Sequence, residues 1–195
     1  MIISARDTAD QIIEAADDLF YRQGYEHTSF ADIADAVQIS RGNFYYHFKT
    51  KDRILDTVIK ARLANTRALL DQWQRDGDTP AERIRCLIRI LTVNRAKIER
   101  YGCPVGTLTT ELTKLDHAAR GEANALFTLF GEWLAKQFTA LGLADEADDL
   151  ALHLLAMSQG VATLTNAFRD AAFTEREVAR MEAWLDEQVE RAAGR

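Results

Sequence analysis

The stretch SRGNFYYHFKTK, Ser40 to Lys51, decides the fold of this chain. It places four aromatic rings and a histidine in five consecutive positions, Phe44 to Phe48, between an arginine and two lysines. Gly42 stands just before the rings, where a helix would ordinarily carry a better helix former, at a penalty of roughly 1 kcal/mol. A soluble protein normally hides rings that are so crowded. Backbone access, aromatic bulk and positive charge in one short segment indicate a specialised surface.

The composition is that of a folded domain and excludes several classes of protein. The chain has 195 residues, of which 47% are hydrophobic and 28% are charged, and its net charge is −6. This charge argues against indiscriminate binding to nucleic acid or anionic membranes, although it leaves room for a local basic site. Because the N-terminus lacks a signal-peptide pattern and two cysteines form no disulfide framework, we expect a reduced, cytoplasmic protein without a structural metal or cofactor.

Nearly the whole chain shows the spacing of amphipathic helices, and about nine helices are predicted. Capping boxes mark three helix starts, at Ser4 to Asp7, Ser29 to Asp32 and Thr79 to Glu82, and Gly24 ends the first helix. No segment alternates apolar and polar residues between turn residues, as a strand would. The predicted fold class is therefore all-α.

Glycines and apolar spacing predict the helices in the second half of the chain. The fifth helix extends from Pro80 to about Arg100, and GCPVG, Gly102 to Gly106, separates it from the next one. The uncharged stretch from Leu150 to Phe168 is long enough for a membrane span, but six polar side chains interrupt it. We therefore predict a buried helix of a bundle there. The last helix is predicted to open at Thr174 to Glu177.

Two short predicted helices before Lys49 indicate a helix-turn-helix. Such a motif offers its second helix to the major groove of double-stranded DNA. Ser40, Arg41 and Gly42 then stand at the leading end of this second helix, where unpaired backbone N–H groups favour phosphate oxygens. Gly42 has no side chain to hold the backbone away from DNA.

The other side chains of the second helix divide between base edges, the DNA backbone and the core. Arg41 and Asn43 can donate hydrogen bonds to base edges in fork-like geometry. Phe44 and Phe48, four residues apart on one face, are predicted to anchor the helix in the core. The side chains left for the sugar-phosphate backbone are Tyr45, Tyr46, His47 and, at the start of the next helix, Lys51.

The positive charge is confined to this short segment. Residues 41–53 carry four basic side chains against one acidic side chain. Residues 1–60 together nevertheless carry seven basic and ten acidic side chains, so the basic face is narrow. We expect sequence-selective contact over a small footprint rather than strong non-specific binding.

The segment GYEHTSFADIADAVQISRGNFYYHFKTKDRIL, Gly24 to Leu55, resembles the DNA-binding segment of TetR-family transcriptional regulators. The first helix ending in LFYRQGY and the FYYHFKTK signature carry this resemblance, which covers about the first third of the chain. It implies a three-helix DNA-binding domain at residues 1–50, with the helix-turn-helix at about 30–49, and a helical ligand-binding and dimerisation domain at 51–195.

The resemblance also assigns individual residues. It implies that Ser29 and Phe30 lie near the DNA backbone, and that Gln38 occupies a turn where many members of the family have glycine. A residue other than glycine there predicts modest backbone strain. The positions that usually touch DNA in the family are occupied here by Arg41, Gly42, Asn43, Tyr45, Tyr46, His47 and Lys51.

The second domain offers candidates for a ligand pocket and for a dimer interface. A helical domain rich in Phe, Leu and Met is where such a protein would hold a small apolar or aromatic molecule. The predicted pocket residues are Leu69, Trp73, Cys103, Phe127, Phe130 and Met157. We predict that the last two helices form the interface of a homodimer, through Ala156, Gly160, Val178, Met181 and Leu185.

Cys103 follows Gly102 and precedes Pro104, which favours the N-terminal cap of the next helix. Unpaired N–H groups there stabilise a thiolate, and some TetR-family regulators sense electrophiles or oxidants through a cysteine. Two other interpretations stay open, a cysteine beside the pocket and a cysteine of the core. Cys86, in an apolar-rich helix, is the expected inert internal control.

The sequence predicts a DNA-binding transcriptional regulator and not an enzyme. We expect a homodimer that represses from a palindromic operator until a small molecule favours a conformation with wrongly spaced recognition helices. A dimeric regulator without an effector pocket, and a helical enzyme or interaction module, stay open as alternatives. No residues have catalytic or metal-ligand spacing, and His117 beside Asp116 is interpreted as a solvated helix start.

Overall fold

Helices make up nearly all of the part of the chain that the structure describes. The structure is a computed structural model and describes residues 5–194, within which there are ten α-helices, one short 3₁₀-helix and no strand. The all-α prediction is confirmed. The helices are α1 Ala5–Gln23, α2 Phe30–Val37, α3 Arg41–His47, α4 Lys51–Asp76, α5 Pro80–Val93, α6 Arg95–Tyr101, α7 Pro104–Lys114, α8 Arg120–Ala140, the 3₁₀-helix Ala144–Glu146, α9 Ala147–Phe168 and α10 Ala171–Ala193.

Most helix boundaries follow from the predicted caps. At the start of α2 the Ser29 hydroxyl accepts the N–H of Asp32 at 3.2 Å, and the Asp32 carboxylate accepts the N–H of Ser29 at 2.7 Å. Thr79 and Glu82 form the same capping box on α5. Gly24 follows α1 with φ 91°, which glycine adopts without strain. The capping box predicted at Ser4 lies outside the described residues.

Two boundaries differ from the sequence predictions. The helix predicted from Pro80 to about Arg100 is divided at Asn94 into α5 and α6, where β-branched residues and asparagine weaken helix formation. Helix α10 begins earlier than predicted, behind an Asp170 cap, so Thr174 lies inside the helix and does not open it. The buried Thr174 hydroxyl is instead 2.9 Å from the hydroxyl of Thr165 on α9, which satisfies both polar groups.

Backbone contacts divide the chain into two compact units. The first unit comprises the residues up to Ala64 together with Thr107–Asn124. The second unit comprises Asn65–Gly106 together with the residues from Ala125 onward. A segment from the middle of the chain therefore belongs to the same unit as the helix-turn-helix. The functional division predicted between residues 50 and 51 stays a prediction.

The core of the first unit fixes α3 in place. Phe44 is 1% exposed, and Phe48 packs half-buried against the same core, so both predicted anchors of α3 contact it. Burial of a side chain such as Phe44 contributes about 1.5–3 kcal/mol to stability. The buried side chains of this core are Ile12, Ala16, Phe20, Tyr25, Ile33, Ala34, Phe44, Ile54, Leu55, Val58, Ile59, Leu108, Leu112, Ala119 and Ala123.

The second unit has its own core, and it corrects one prediction. Val178, Met181 and Leu185 of α10 are 8%, 3% and 0% exposed, and they pack within this core. A side chain buried inside its own chain has almost no surface to offer a partner. The prediction that these three residues form a dimer-interface stripe is therefore wrong, because the apolar stripe of α10 packs inside its own unit.

Helix α9, which contains the long uncharged stretch, has one buried and one exposed side. Leu154, Val161 and Thr165 are among its buried residues, whereas the predicted interface residues Ala156 and Gly160 are exposed. Across the described residues, no helix has the length and apolarity needed to cross a membrane.

Candidate nucleic-acid interface

Helices α2 and α3 form the predicted helix-turn-helix, and local hydrogen bonds set its geometry. Ser40 caps α3, since its hydroxyl accepts the N–H of Asn43 at 3.3 Å. In the turn, Gln38 has the left-handed conformation φ 57°, ψ 40°. The N–H groups of Gln38 and Ile39 donate to carbonyls at the end of α2, both at 3.2 Å. The turn thus closes without glycine, at a strain of about 1–2 kcal/mol.

The start of α2 combines a cap with a local charge. The Ser29 hydroxyl donates to the Asp32 carboxylate at 2.8 Å, in addition to the two bonds of the capping box. The backbone N–H and the hydroxyl of Ser29 together hold the pKa of Asp32 below its ordinary value. Asp32 is therefore ionised at neutral pH, and its charge is favourable at the N-terminus of a helix.

Three aromatic rings join the two helices. Phe30 of α2 packs edge to face on Phe44 and Tyr45 of α3, with centroid distances of 5.1 and 5.4 Å. Phe44 is buried and Tyr45 is 45% exposed, so the cluster extends from the core to the surface. Phe30 is half-buried between them, and its contact with the DNA backbone stays a prediction.

The structure leaves most of the predicted DNA-contacting side chains exposed. Tyr46 is 74% exposed, and the ring of half-buried His47 lies 5.2 Å from it. A large exposed ring on a short, well-anchored helix is available for contact with a phosphate backbone. The exposed members of the predicted set are Ser29, Ser40, Arg41, Gly42, Asn43, Tyr45 and Tyr46.

A depression of about 320 Å³ opens between α2 and α3. Among its lining residues are Ser29, Arg41 and Tyr45, so predicted contacts from both helices share one surface. Gly42 is exposed beside it, and a Cβ placed there would meet no described atom within 4 Å beyond its chain neighbours and the backbone of its own helix. A steric reason for glycine at this position must therefore come from outside the chain.

Lys51 differs from the other predicted contacts because the protein itself holds its ammonium group. Its Nζ donates to the carbonyl of Tyr25 at 2.9 Å and to that of Glu26 at 3.3 Å, and lies 4.2 Å from the centre of the Tyr25 ring. An ammonium has three N–H donors, so the turn between α1 and α2 engages two of them. A phosphate contact from the third stays a prediction.

The sequence did not predict that Glu111 and His117 pack around Tyr25. Glu111 of α7 bonds to the backbone of Tyr25, and no local pattern links residues so far apart in the chain. His117 is not the predicted solvated helix start, since its side chain is 17% exposed and its ring packs 5.1 Å from that of Tyr25. Its Nδ1 accepts the N–H of Ala119 at 3.1 Å. The positions of Glu111 and His117 therefore result from tertiary packing and not from a local sequence pattern.

The predicted pocket residues lie in different parts of the second unit. The Trp73 ring is buried, 6.4 Å from that of Phe130 and 5.8 Å from that of Trp133. Phe127 lines a surface depression of about 330 Å³ between α8 and α9. The predicted residues that pack half-buried against the core of this unit are Leu69, Cys103, Phe130 and Met157.

Cys103 lies at the start of α7, as predicted. Its Sγ accepts the N–H of Gly106 at 3.4 Å and the side-chain amide of Gln159 at 3.5 Å. A Cβ at position 106 would collide with the Gln159 amide oxygen, so glycine there permits this arrangement. Among the side chains that the structure describes, no three of His, Cys, Asp or Glu come together as a metal site.

Two family models match this chain. A model described as bacterial regulatory proteins, tetR family, matches residues 12–58, which include α2 and α3. A model described as the C-terminal domain of LmrA/YxaF-like transcriptional regulators matches residues 80–176.

Relatives and solved structures agree with these matches. An uncharacterised HTH-type transcriptional regulator in the lacX 3′ region of Lactococcus lactis subsp. lactis is 31% identical over 173 residues, covering 87% of this chain and 88% of that protein. The HTH-type transcriptional repressor DhaR of Mycobacterium sp. (strain GP1) is 24% identical over 123 residues, covering 63% of this chain and 60% of that protein. The crystal structure of a TetR transcriptional regulator from Legionella pneumophila has a TM-score of 0.81 at 25% identity, covering 96% of this chain and 98% of that chain. The chain belongs to the TetR family of transcriptional regulators, which bind operator DNA and typically form dimers, and it is a regulator rather than an enzyme.

Proposed function

We propose that this protein represses transcription in the cytoplasm by binding a palindromic operator as a homodimer, and that a small aromatic or apolar molecule releases it. The observation that carries operator binding is the exposed side of α3, which Ser40 caps and Phe44 anchors. Arg41 and Asn43 reach base edges from there, and repression is favoured because the relative DhaR is a repressor. The residues that contact the DNA backbone are Ser29, Phe30, Ser40, Gly42, Tyr45, Tyr46, His47 and Lys51.

Base readout by Arg41 can be tested with DNA selected by the unmodified protein from a random duplex library. Arg41→Ala should weaken binding to the selected duplex by about 1–3 kcal/mol and relax the preference at the contacted base pair. The control is Arg67→Ala, which removes the same charge from an exposed position on α4. Equal losses in the two variants would show that the effect comes from net charge and not from readout.

The exposed side of α9 is the proposed dimer interface. Leu152 and Phe168 are 68% and 63% exposed, and monomeric proteins rarely expose a continuous apolar patch of this kind. Ala156 and Gly160 lie between them, and small side chains let helix axes approach closely. A two-fold dimer presents two equivalent recognition helices, which accounts for a palindromic operator. The interface residues, which recur at every fourth position, are Leu152, Ala156, Gly160, Leu164 and Phe168.

Two buried polar atoms support an effector site in the second unit. Trp133 Nε1 and Gln137 Oε1 are buried and have no hydrogen-bond partner among the described residues. They lie one turn apart on α8. The Trp133 ring packs on that of Trp73, which packs on Phe130, and the half-buried Leu69, Cys103 and Met157 belong to the same core. Each unpaired group costs about 1–3 kcal/mol, so a ligand that pairs with both is stabilised. This pair favours a planar, uncharged molecule that accepts from the indole and donates to the amide oxygen.

A screen of uncharged aromatic compounds tests the effector site. Compounds that raise the melting temperature and release the selected duplex should bind Trp133→Phe at least about fivefold more weakly, because one hydrogen bond is lost. Operator binding without ligand should be unchanged. Trp184→Phe is the control, since this half-buried tryptophan of α10 packs on Phe138 instead. If no compound both raises the melting temperature of the protein and releases the duplex, the alternative of a dimeric regulator without an effector pocket is favoured.

A further inference from the structure

The turn from Gly24 to Thr28, called here the entry turn, leads from α1 into α2 and is held from outside. The N–H of Tyr25 donates to Glu111 Oε2 and the N–H of Glu26 donates to Glu111 Oε1, each at 2.9 Å. A single carboxylate on α7 therefore pairs with two consecutive backbone N–H groups, using one oxygen for each. Charge-assisted bonds of this kind are about twice as strong as neutral ones.

The opposite side of the entry turn is held as well. The Lys51 ammonium donates to the carbonyls of Tyr25 and Glu26 at 2.9 and 3.3 Å. The backbone N–H and the backbone carbonyl of each of these two residues therefore have a partner. The Thr28 hydroxyl donates to the carbonyl of Gly24 at 2.7 Å and closes the turn on itself. These bonds define one backbone conformation for the entry turn.

The Tyr25 side chain completes the arrangement. It is 6% exposed, and its hydroxyl donates to Asp52 at 2.5 Å. Its ring packs edge to face on Phe20 and His117, with centroid distances of 5.3 and 5.1 Å. Burial, together with the bond to Asp52, raises the pKa of Tyr25 above its ordinary value, so the hydroxyl stays a donor at neutral pH.

Glycine at position 24 has two physical reasons. Its φ of 91° is a conformation that other residues rarely adopt. A Cβ there would also stand 2.9 Å from Glu111 Oε1, so any side chain would push the carboxylate away. Glycine at position 24 therefore leaves room for the Glu111 carboxylate.

We propose that Glu111 is a positioning residue for DNA recognition, which acts by fixing the entry turn and makes no contact with DNA itself. Ser29, the cap of α2, follows the turn directly, so a displaced turn displaces α2. The contact between Phe30 and Phe44 then passes the displacement to α3. This role rests on the proposed operator binding, and it makes α7 part of the DNA-binding apparatus.

The test is Glu111→Gln in the full chain, with Glu122→Gln as the matched control. The control makes the same chemical change at an exposed position of the first unit. In Glu111→Gln, amide hydrogen exchange at Tyr25 and Glu26 should accelerate at least about tenfold, because one oxygen acceptor becomes an NH₂ group. Affinity for the selected duplex should fall about tenfold at a temperature where the variant is fully folded, with an unchanged salt slope because no phosphate contact is lost. Both quantities should stay unchanged in Glu122→Gln.

Each outcome bears on a different step. Unchanged exchange at both amides would overturn the contact, and accelerated exchange with unchanged affinity would overturn the positioning role. If Glu111→Gln does not fold, Glu111→Asp replaces it, since the shorter carboxylate cannot reach both N–H groups and should show a smaller loss of both kinds. If the unmodified protein selects no duplex at all, the proposed operator binding is overturned. The exchange rates at Tyr25 and Glu26 do not depend on DNA, so the two failures can be told apart.

Discussion

Phe30 and Phe44 pack edge to face across the helix-turn-helix, with their ring centroids 5.1 Å apart. Because Phe44 is 1% exposed, α2 is placed against a ring that cannot move without disturbing the core. The angle between the two helices is therefore set by packing inside the first unit, before any DNA is bound. A substitution at Phe30 should therefore change both the stability of the fold and DNA recognition. A substitution of an exposed ring on α3 should change DNA recognition alone.

Comparing substitutions at Phe30 and Tyr46 separates the effect on stability from the effect on recognition. Phe30→Ala should lower the free energy of unfolding by about 1–3 kcal/mol, since it removes ring contacts to Phe44 and Tyr45, and should weaken operator binding. Tyr46→Ala should weaken operator binding but change stability by less than about 0.5 kcal/mol, because this side chain is 74% exposed. Urea unfolding and DNA titration measure the two quantities. Equal stability losses in both variants would contradict this assignment.

Gln38 offers a stabilising substitution. Its backbone is left-handed, with φ 57°, which glycine adopts without the strain of a side chain. We expect Gln38→Gly to raise the free energy of unfolding by about 0.5–1 kcal/mol, after the larger chain entropy of unfolded glycine is included. Gln38→Ala keeps the strain and should stay within about 0.5 kcal/mol of the unmodified protein. A lower urea midpoint for Gln38→Gly than for Gln38→Ala would show that the turn does not carry this strain.

Local patterns predicted the parts of the fold that local interactions determine. The capping boxes at Ser29 and Thr79, the cap at Ser40 and the stop at Gly24 each depend on residues within one turn of helix. The exposed side of α3 was predictable for the same reason. Once Phe44 is assigned to the core, helical spacing directs its neighbours outward.

Long-range packing decided what the sequence could not predict. The stripe Val178, Met181 and Leu185 has the same spacing whether a neighbouring helix or a second copy covers it, and here its own unit does. The contact between Glu111 and Tyr25 also depends on residues distant in sequence. Periodicity indicates that a face is covered, but it does not identify what covers it.

Lys51 should affect stability and DNA binding at once. Lys51→Met should lower the free energy of unfolding by about 1–3 kcal/mol, because the carbonyl of Glu26 loses this charged donor and that of Tyr25 keeps only the N–H of Thr28. It should also reduce the slope of log affinity against log salt by about one, if the third N–H reaches a phosphate. Lys60→Met, at an exposed position on the same helix, is the control and should change neither quantity. Lower stability with an unchanged salt slope would show that Lys51 supports the turn only.

Cys86 is the internal control for any reactivity of Cys103. Burial, and secondarily the charge of Asp76, raises the pKa of the Cys86 thiol above its ordinary value. Since the thiolate is the nucleophile, Cys86 in the Cys103→Ser variant should react with iodoacetamide more slowly than free cysteine at about pH 7.5, and faster as the pH rises toward the raised pKa. Mass spectrometry measures the rate, with the urea-unfolded variant as the reference. Equal rates in the folded and unfolded variant would contradict this expectation.

The exposed side of α9 gives the sharpest test of the dimer. Leu164 is 41% exposed within the proposed interface, so Leu164→Glu should leave the fold intact but place an unpaired charge between two copies, which is strongly destabilising for association. Sedimentation should then show monomers, and affinity for the palindromic duplex should fall because two half-sites are no longer bound together. Val93→Glu is the matched control, since Val93 is 79% exposed and lies outside α9.

Leu185→Glu should instead unfold the chain, because Leu185 is 0% exposed and its charge would enter the core. A stable dimer of both Leu164→Glu and Gly160→Glu would place the interface elsewhere.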